Sequence, residues 1–169
     1  MKCTNCQTNV DLSARFCPSC GTAVTAGHEV ISQSEVTIEW LINILKGMGY
    51  IVKPVETAPD VILATKDGHV HFHMQIFKDM NLIGFQSVWE IKKPSWLNKD
   101  DFLAALNTAN SKGWLCSVFT PDSLDMIYIS SYIYPTESIS NRDIMLFVKN
   151  FNDAVILMLQ SPELDKYMP

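Results

Sequence analysis

The residues best placed to do chemistry stand at the front of the chain, in "MKCTNCQTNVDLSARFCPSCGT". Cys3 and Cys6 form one Cys-x-x-Cys pair, Cys17 and Cys20 form a second, and ten residues separate the two. Thiols at this spacing can form disulfides, carry out redox chemistry or hold a metal. No apolar stretch approaches the ~18 residues of a membrane span, and "MKCTNC" lacks the basic-then-apolar pattern of a signal peptide, so a cytoplasmic protein is expected. Thiols stay reduced there, which disfavours disulfides. A redox pair normally opens a helix that follows a strand, and no strand is expected before Cys3. Four thiolates in two short loops instead suit tetrahedral Zn²⁺, each loop turning backbone N–H groups toward its sulfurs. Four cysteine ligands leave no open position for water, so the expected zinc is structural.

The flanking residues suit such loops. Gly21 can take the left-handed backbone that a tight turn after Cys20 demands, and Pro18 stiffens the second loop. On "RFCPSCG", with Phe16 as the aromatic before the loop, the stretch resembles the short zinc ribbon found at the start of many bacterial proteins. That family usually carries Cys-Pro-x-Cys-Gly at both knuckles, and "CTNCQ" departs from it with Thr4 for Pro and Gln7 for Gly. A module of about two dozen residues buries too little apolar surface to fold alone, so metal binding, worth ~10 kcal/mol or more, would supply most of its folding free energy.

Other candidate chemistry is sparser. In "HVHFH", alternate histidines on a strand would lie about 7 Å apart on one face, close enough for His69, His71 and His73 to share a metal in pairs. A catalytic zinc also needs a third ligand and a general base, and Lys66 is expected opposite His69, so a solvated strand face is the stronger reading. Cys116, on an apolar strand with no nearby histidine, reads as a core thiol. Trp89, Trp96, Trp114, Tyr128, Tyr132 and Tyr134 could stack on bases, but they are scattered, and Arg15 and Arg142 are the only arginines. Loops of the Walker, Gly-x-Gly-x-x-Gly and Gly-x-Ser-x-Gly types do not occur.

The elements that would position these groups follow from periodicity. With 169 residues, 47% of them hydrophobic, the chain can bury one principal core beside the small module. The expected division is a zinc ribbon at 1–26, a linker at 27–35 and a larger unit at 36–169. Val36, Trp40, Leu41, Ile44, Leu45 and Met48 recur at helical spacing, with Gly47 and Gly49 placed to end the helix. The period then changes to two. "DVILATKDGHVHFHMQIF" predicts a hairpin about an Asp67-Gly68 type I′ turn, with Val61, Leu63 and Thr65 opposite Met74, Phe72 and Val70 on the core face. On the outer face Ile62, Ala64 and Lys66 would oppose His73, His71 and His69. "LIGFQSVWEIKKP" predicts a third antiparallel strand across a Lys78–Asn81 turn, with Ile83, Phe85, Trp89 and Ile91 inward and Pro94 ending the pairing.

A helix follows over 99–112, with Asn98 as N-cap and Gly113 past its end. Two strands, "WLCSVFT" and "DMIYISSYIYP", flank the turn "PDSL". The last helix opens at a capping box, Ser140 with Asp143, and ends at Pro162. Its stripe of Ile144, Val148, Phe151, Val155 and Met158 is joined by Leu146, Phe147, Ala154, Leu157 and Leu159 on other sides. That helix is either buried on two sides in its own unit or exposes a patch for a homodimer or a client. The fold class is α+β, an antiparallel sheet packed with helices in the order α-β-β-β-α-β-β-α, preceded by a small four-cysteine zinc ribbon.

This order, with "KDDFLAALNTANS" between the strand blocks and a capped apolar helix at the end, resembles the YbjN-like family over roughly residues 36–162. The resemblance implies a fold similar to that of type III secretion chaperones, candidate regulatory or protein-binding roles, and no established catalytic residues. The expected function is therefore a non-enzymatic interaction protein, chaperone-like or a regulatory adaptor, with a protein partner. The alternative is a nucleic-acid-associated regulator working through the ribbon. Charge disfavours it: 13 basic against 18 acidic residues make no general field for nucleic acid or an anionic membrane, and residues 1–26 carry only Lys2, Asp11 and Arg15.

Overall fold

The computed structural model describes residues 2–3, 5–10, 14, 16–22, 30–92, 94, 98–112, 115–135 and 137–169. Thr4, Asp11, Arg15, Trp96, Gly113 and Trp114 lie outside them, and with them what the sequence suggested at those positions.

The larger unit begins earlier than expected. Residues assigned to the end of the linker form β1 (Val30–Ser32) and a 3-10 turn (Gln33–Glu35), whose Glu35 carboxylate accepts from the Ser32 N–H at 2.8 Å. α1 (Ile38–Gly47) follows, N-capped by Thr37, whose hydroxyl accepts from the Trp40 N–H. Leu41, Ile44 and Leu45 are its buried stripe, and the left-handed Gly49 (φ 84°) turns the chain out of it.

The strands are β2 (Ile51–Val55), β3 (Ala58–Thr65), β4 (Phe72–Phe77) and β5 (Leu82–Glu90). Then come α2 (Lys99–Ser111), β6 (Ser117–Phe119), β7 (Met126–Ile133), β8 (Ser138–Ser140), α3 (Asn141–Leu159) and α4 (Pro162–Asp165). Six strands make one antiparallel sheet in the order β2-β3-β4-β5-β7-β6, and β1 pairs with β8 in a small second sheet. The α+β class holds, with three strands more than the sequence order contained. Pro54 hid β2, since an edge strand can carry proline where an interior strand cannot. β1 and β8 pair across the length of the unit (Ile31 with Ile139), which local periodicity cannot reveal.

The β3–β4 hairpin differs from expectation by one residue. Only Gly68 is left-handed (φ 71°), whereas a type I′ turn needs both central residues so, and the His69 N–H returns to the Lys66 carbonyl at 3.1 Å. The Val70 N–H then goes to the buried Asn152 Oδ1 of α3 at 2.8 Å. The resulting register pairs Ile62 with Met74 and Ala64 with Phe72. Ile62 and Ala64 are thus the core residues of β3, and Val61, Leu63 and Thr65 face outward; Val70, Phe72 and Met74 are buried as expected.

One apolar core joins the inner sheet face to the helices. Phe72 meets Tyr50 (ring centroids 5.5 Å apart) and Phe151 (5.7 Å), and Phe147 lies 4.7 Å from Phe85. α3 opens at the expected capping box, the Ser140 N–H donating to Asp143 Oδ2 at 2.9 Å and the Asp143 N–H to Ser140 Oγ at 3.2 Å. Its stripe from Ile144 to Met158 is buried, Ala154 is buried, Leu146, Phe147 and Leu159 are half-buried, and Leu157 is 50% exposed. Pro162 does more than end α3: it opens α4, whose Leu164 joins the core. Asn98 sits at the N-cap position of α2 without a side-chain cap bond, so Asp100 and Asp101 are left to complement that helix end. Among the described residues no helix is long and apolar enough to cross a membrane.

Candidate metal centre and open sheet face

The two halves of the front module are built alike. The Cys3 N–H donates to the Thr8 carbonyl at 2.9 Å and the Gln7 N–H to the Cys3 carbonyl at 3.0 Å. Fourteen residues on, the Cys17 N–H donates to the Thr22 carbonyl at 2.8 Å and the Gly21 N–H to the Cys17 carbonyl at 2.9 Å. Both loops need a left-handed residue after the second cysteine, and Gly21 (φ 69°) supplies it without strain. Gln7 adopts the same conformation (φ 58°), at a cost of ~1–2 kcal/mol that glycine would avoid.

This geometry brings Cys3, Cys6, Cys17 and Cys20 together, their Sγ atoms all within 4.8 Å of one another. Cys3 and Cys20 are 3.6 Å apart and Cys6 and Cys17 are 3.5 Å apart, far beyond a disulfide bond of ~2.0 Å. A tetrahedron with Zn–S bonds of ~2.3 Å has sulfur–sulfur edges of ~3.8 Å, so the donor set fits such an ion in both chemistry and spacing.

The surroundings divide the sulfurs into two kinds. Thr22 Oγ1 lies 3.2 Å from Cys20 Sγ, and donation from the Thr22 hydroxyl and backbone N–H lowers the Cys20 pKa to about 6. Thr8 does the same for Cys6, with its Oγ1 at 3.3 Å, and holds that thiol below its ordinary range. Cys17 is buried, and loss of hydration pushes it up to about 11. A bound dication supplies the charge that makes such a thiol give up its proton. Thr8 and Thr22 are the residues that the spacing of cysteines alone does not single out. Their signal is the repeat Cys-x-x-Cys-x-Thr, present in both "CTNCQT" and "CPSCGT".

The histidines do not form a comparable cluster. His69 lies in the hairpin turn, with Nδ1 3.1 Å from the Asp67 carbonyl. His71 is exposed just before β4, its carbonyl accepting from the Ser87 hydroxyl at 2.9 Å. His73 stands on the outer sheet face between Leu63 and Gln86, and burial holds its pKa below the ordinary value. The register shift moves His71 and His73 away from the partners expected for them, whereas the His69 N–H still meets the Lys66 carbonyl. Cys116 is buried and its pKa is pushed up to about 12, which suits packing rather than attack.

A second feature comes from the sheet. Among the described residues, those of the core occupy one face: Val61, Leu63, Phe77, Val88, Tyr128 and Tyr132 of the other face are not packed against it. Gly84 sits in the middle of that outer face. A Cβ there would come within 2.7 Å of Phe77 Cε2 and 3.3 Å of Tyr132 Cε1, so the two rings lie across bare backbone. Beside them is a groove of about 330 Å³ that His73, Gln75, Gln86 and Ser130 line with polar groups. Farther out, Phe119 and Tyr128 stack at 5.3 Å with planes 10° apart.

The sheet edges, by contrast, are blunted. At β6 the Asn110 side chain of α2 accepts from the Val118 N–H at 2.7 Å and donates to the Val118 carbonyl at 2.8 Å, occupying the groups an added strand would use. At β2, Pro54 and a register irregularity interrupt the ladder.

Against known proteins, residues 2–24 match the zinc-ribbon domain family. No curated protein matches the chain. Among solved structures the chain is similar to E. coli YbjN, described as a candidate transcription regulator, with a TM-score of 0.61 at 14% identity over 79% of this chain and 97% of that one. At that identity the likeness shows fold alone. The front of the chain is thus a zinc ribbon with four cysteines able to hold a metal, and the larger unit has a fold similar to that of YbjN.

Proposed function

We propose that this chain is a non-enzymatic protein-interaction protein, a chaperone-like or regulatory adaptor whose ribbon holds a structural Zn²⁺ through Cys3, Cys6, Cys17 and Cys20. The observation that carries the reading is the uncovered sheet face, where Val88 and Tyr132 are 36% and 47% exposed around the groove beside Gly84. An open antiparallel face with aromatic anchors suits burial of a partner's apolar side chains, and the blunted edges disfavour strand addition. Phe16, 63% exposed, gives the ribbon an aromatic contact of its own. A homodimer, the other partner expected, would have Leu157 of α3 to build on.

The test is co-purification from the cells of origin with the full chain and with a Phe77→Ser/Tyr132→Ser double variant. One partner recovered near stoichiometry by the wild type and lost by the folded variant supports the reading. Equal recovery by both, or no specific partner with either, counts against it. The description of YbjN favours a second reading, a nucleic-acid-associated regulator contacting DNA or RNA through the ribbon. Lys2 is the one charged side chain among the described ribbon residues, a poor field for phosphate. Saturable, salt-sensitive mobility shifts at low salt would favour that second reading.

A further inference from the structure

We infer that the cleft between the end of α1, the β3–β4 turn and the middle of α3 binds a small organic anion, one bearing a phosphate or carboxylate group. It is a space of about 410 Å³, within the range of small-molecule sites. Lys66, His69 and Lys149 reach it against a single carboxylate, Asp153, in a chain whose net charge is −5. Among the described residues the ion pair is Lys112 with Glu163, at 2.8 Å, and neither Lys66 nor Lys149 is in one. Cationic side chains that converge on a cavity without carboxylate partners leave a positive field for a ligand to neutralise.

The site is also partly pre-organised. Lys66 Nζ donates to the Met48 carbonyl at 2.8 Å and stands 5.3 Å from the centroid of the Tyr50 ring, which fixes the ammonium at the cleft and leaves it further protons to donate. Asn152 is 8% exposed, and its Oδ1 is committed to the Val70 N–H. Its remaining donor is Nδ2, which makes a long 3.4 Å contact with Asp153 Oδ1. At that length the contact is a weak one, so Nδ2 keeps donor capacity for a ligand. The Tyr50 ring and the side chains of Met48 and Met145 supply an apolar wall, so the ligand has room for an organic part beyond its charged group. The three sets of residues come from chain segments far apart, and the Asn152–Val70 bond that sets the hairpin register also sets the cleft.

Titration of the full-length protein with inorganic phosphate, pyrophosphate and citrate, followed by NMR at constant ionic strength, tests the inference. Saturable shifts at Lys66, His69 and Asn152 are expected with at least one probe, and sodium chloride is not expected to reproduce them. Lys149 is exposed, so Lys149→Met is expected to fold and to weaken binding about tenfold, the loss of one charged hydrogen bond. Asp153→Asn is expected to tighten it, because the opposing charge is gone. Absence of saturation with all three probes, or affinity unchanged in Lys149→Met, overturns the assignment.

Discussion

In the ribbon, the buried apolar cluster among the described residues is Cys3, Val10 and Cys17, with Ala14 against it. In the larger unit one core runs from α1 through the inner sheet face to α3 and α4, with Phe72, Phe85, Phe102 and Phe151 all but fully buried. Two of the three buried ribbon residues are themselves ligand candidates, so the same side chains that would bind an ion are those that hold the module together. The α+β unit separates these tasks: its core is closed, while its open face and cleft are free to bind. Loss of a ligand should therefore destroy one region and leave the other standing.

Removal of the metal should have the greatest effect. If ~10 kcal/mol or more of ribbon folding comes from the ion, chelation unfolds residues 2–22 while the signals of the α+β unit persist. Alkylation followed by mass spectrometry checks it: four of the five cysteines react after chelation, and buried Cys116 reacts only once the whole chain is denatured. Loss of α-helical signal on chelation would erase the contrast between the regions.

The reverse experiment perturbs the larger unit. Phe72→Ala removes a ring in contact with Tyr50, Phe85 and Phe151, and should cost about 3–5 kcal/mol in the unfolding free energy of that unit, read from its denaturant transition. Metal affinity of the ribbon should be unchanged, as measured by competition with a chromophoric chelator. A parallel fall in metal affinity would show the two regions to be coupled.

A smaller effect lies within the ribbon. Thr22→Val removes a hydroxyl donor to Cys20 and should weaken metal binding by roughly tenfold. The sign with pH follows from the pKa of about 6. At neutral pH wild-type Cys20 is already largely thiolate, whereas without the hydroxyl its pKa rises toward the ordinary 9.0 and a proton must be displaced. The gap between variant and wild type should therefore be widest at and below a pH of about 6, narrow through neutral pH and close as pH rises past that ordinary value. A gap independent of pH would assign Thr22 a purely steric role.

Much of this architecture is written locally. The metal quartet is legible because its ligands and their turns lie within a few residues of each other, and the paired threonines would have been legible from the repeat. Ser140 with Asp143, the α1 stripe and the inward Val70, Phe72 and Met74 are equally local, since a helix face or strand face is set by period. The β3 core residues are not, because the hairpin turn takes its form partly from Asn152, 82 residues away. The histidines kept their outward side, as Val70, Phe72 and Met74 kept their inward one, and it was the β3 residues opposite them that turned over, since one residue of slip sends every side chain of the slipped strand to the other face.

Most helices and strands, and the cysteine centre, are therefore encoded in the order of residues, each specified by contacts within a turn or two. Which sheet face stays bare, that Asn110 closes one edge, and that Lys66 and Lys149 meet at one cleft emerge only on folding. Those outcomes depend on where distant segments dock, and docking follows the burial of apolar surface summed over the whole unit, a quantity no single stretch of residues carries.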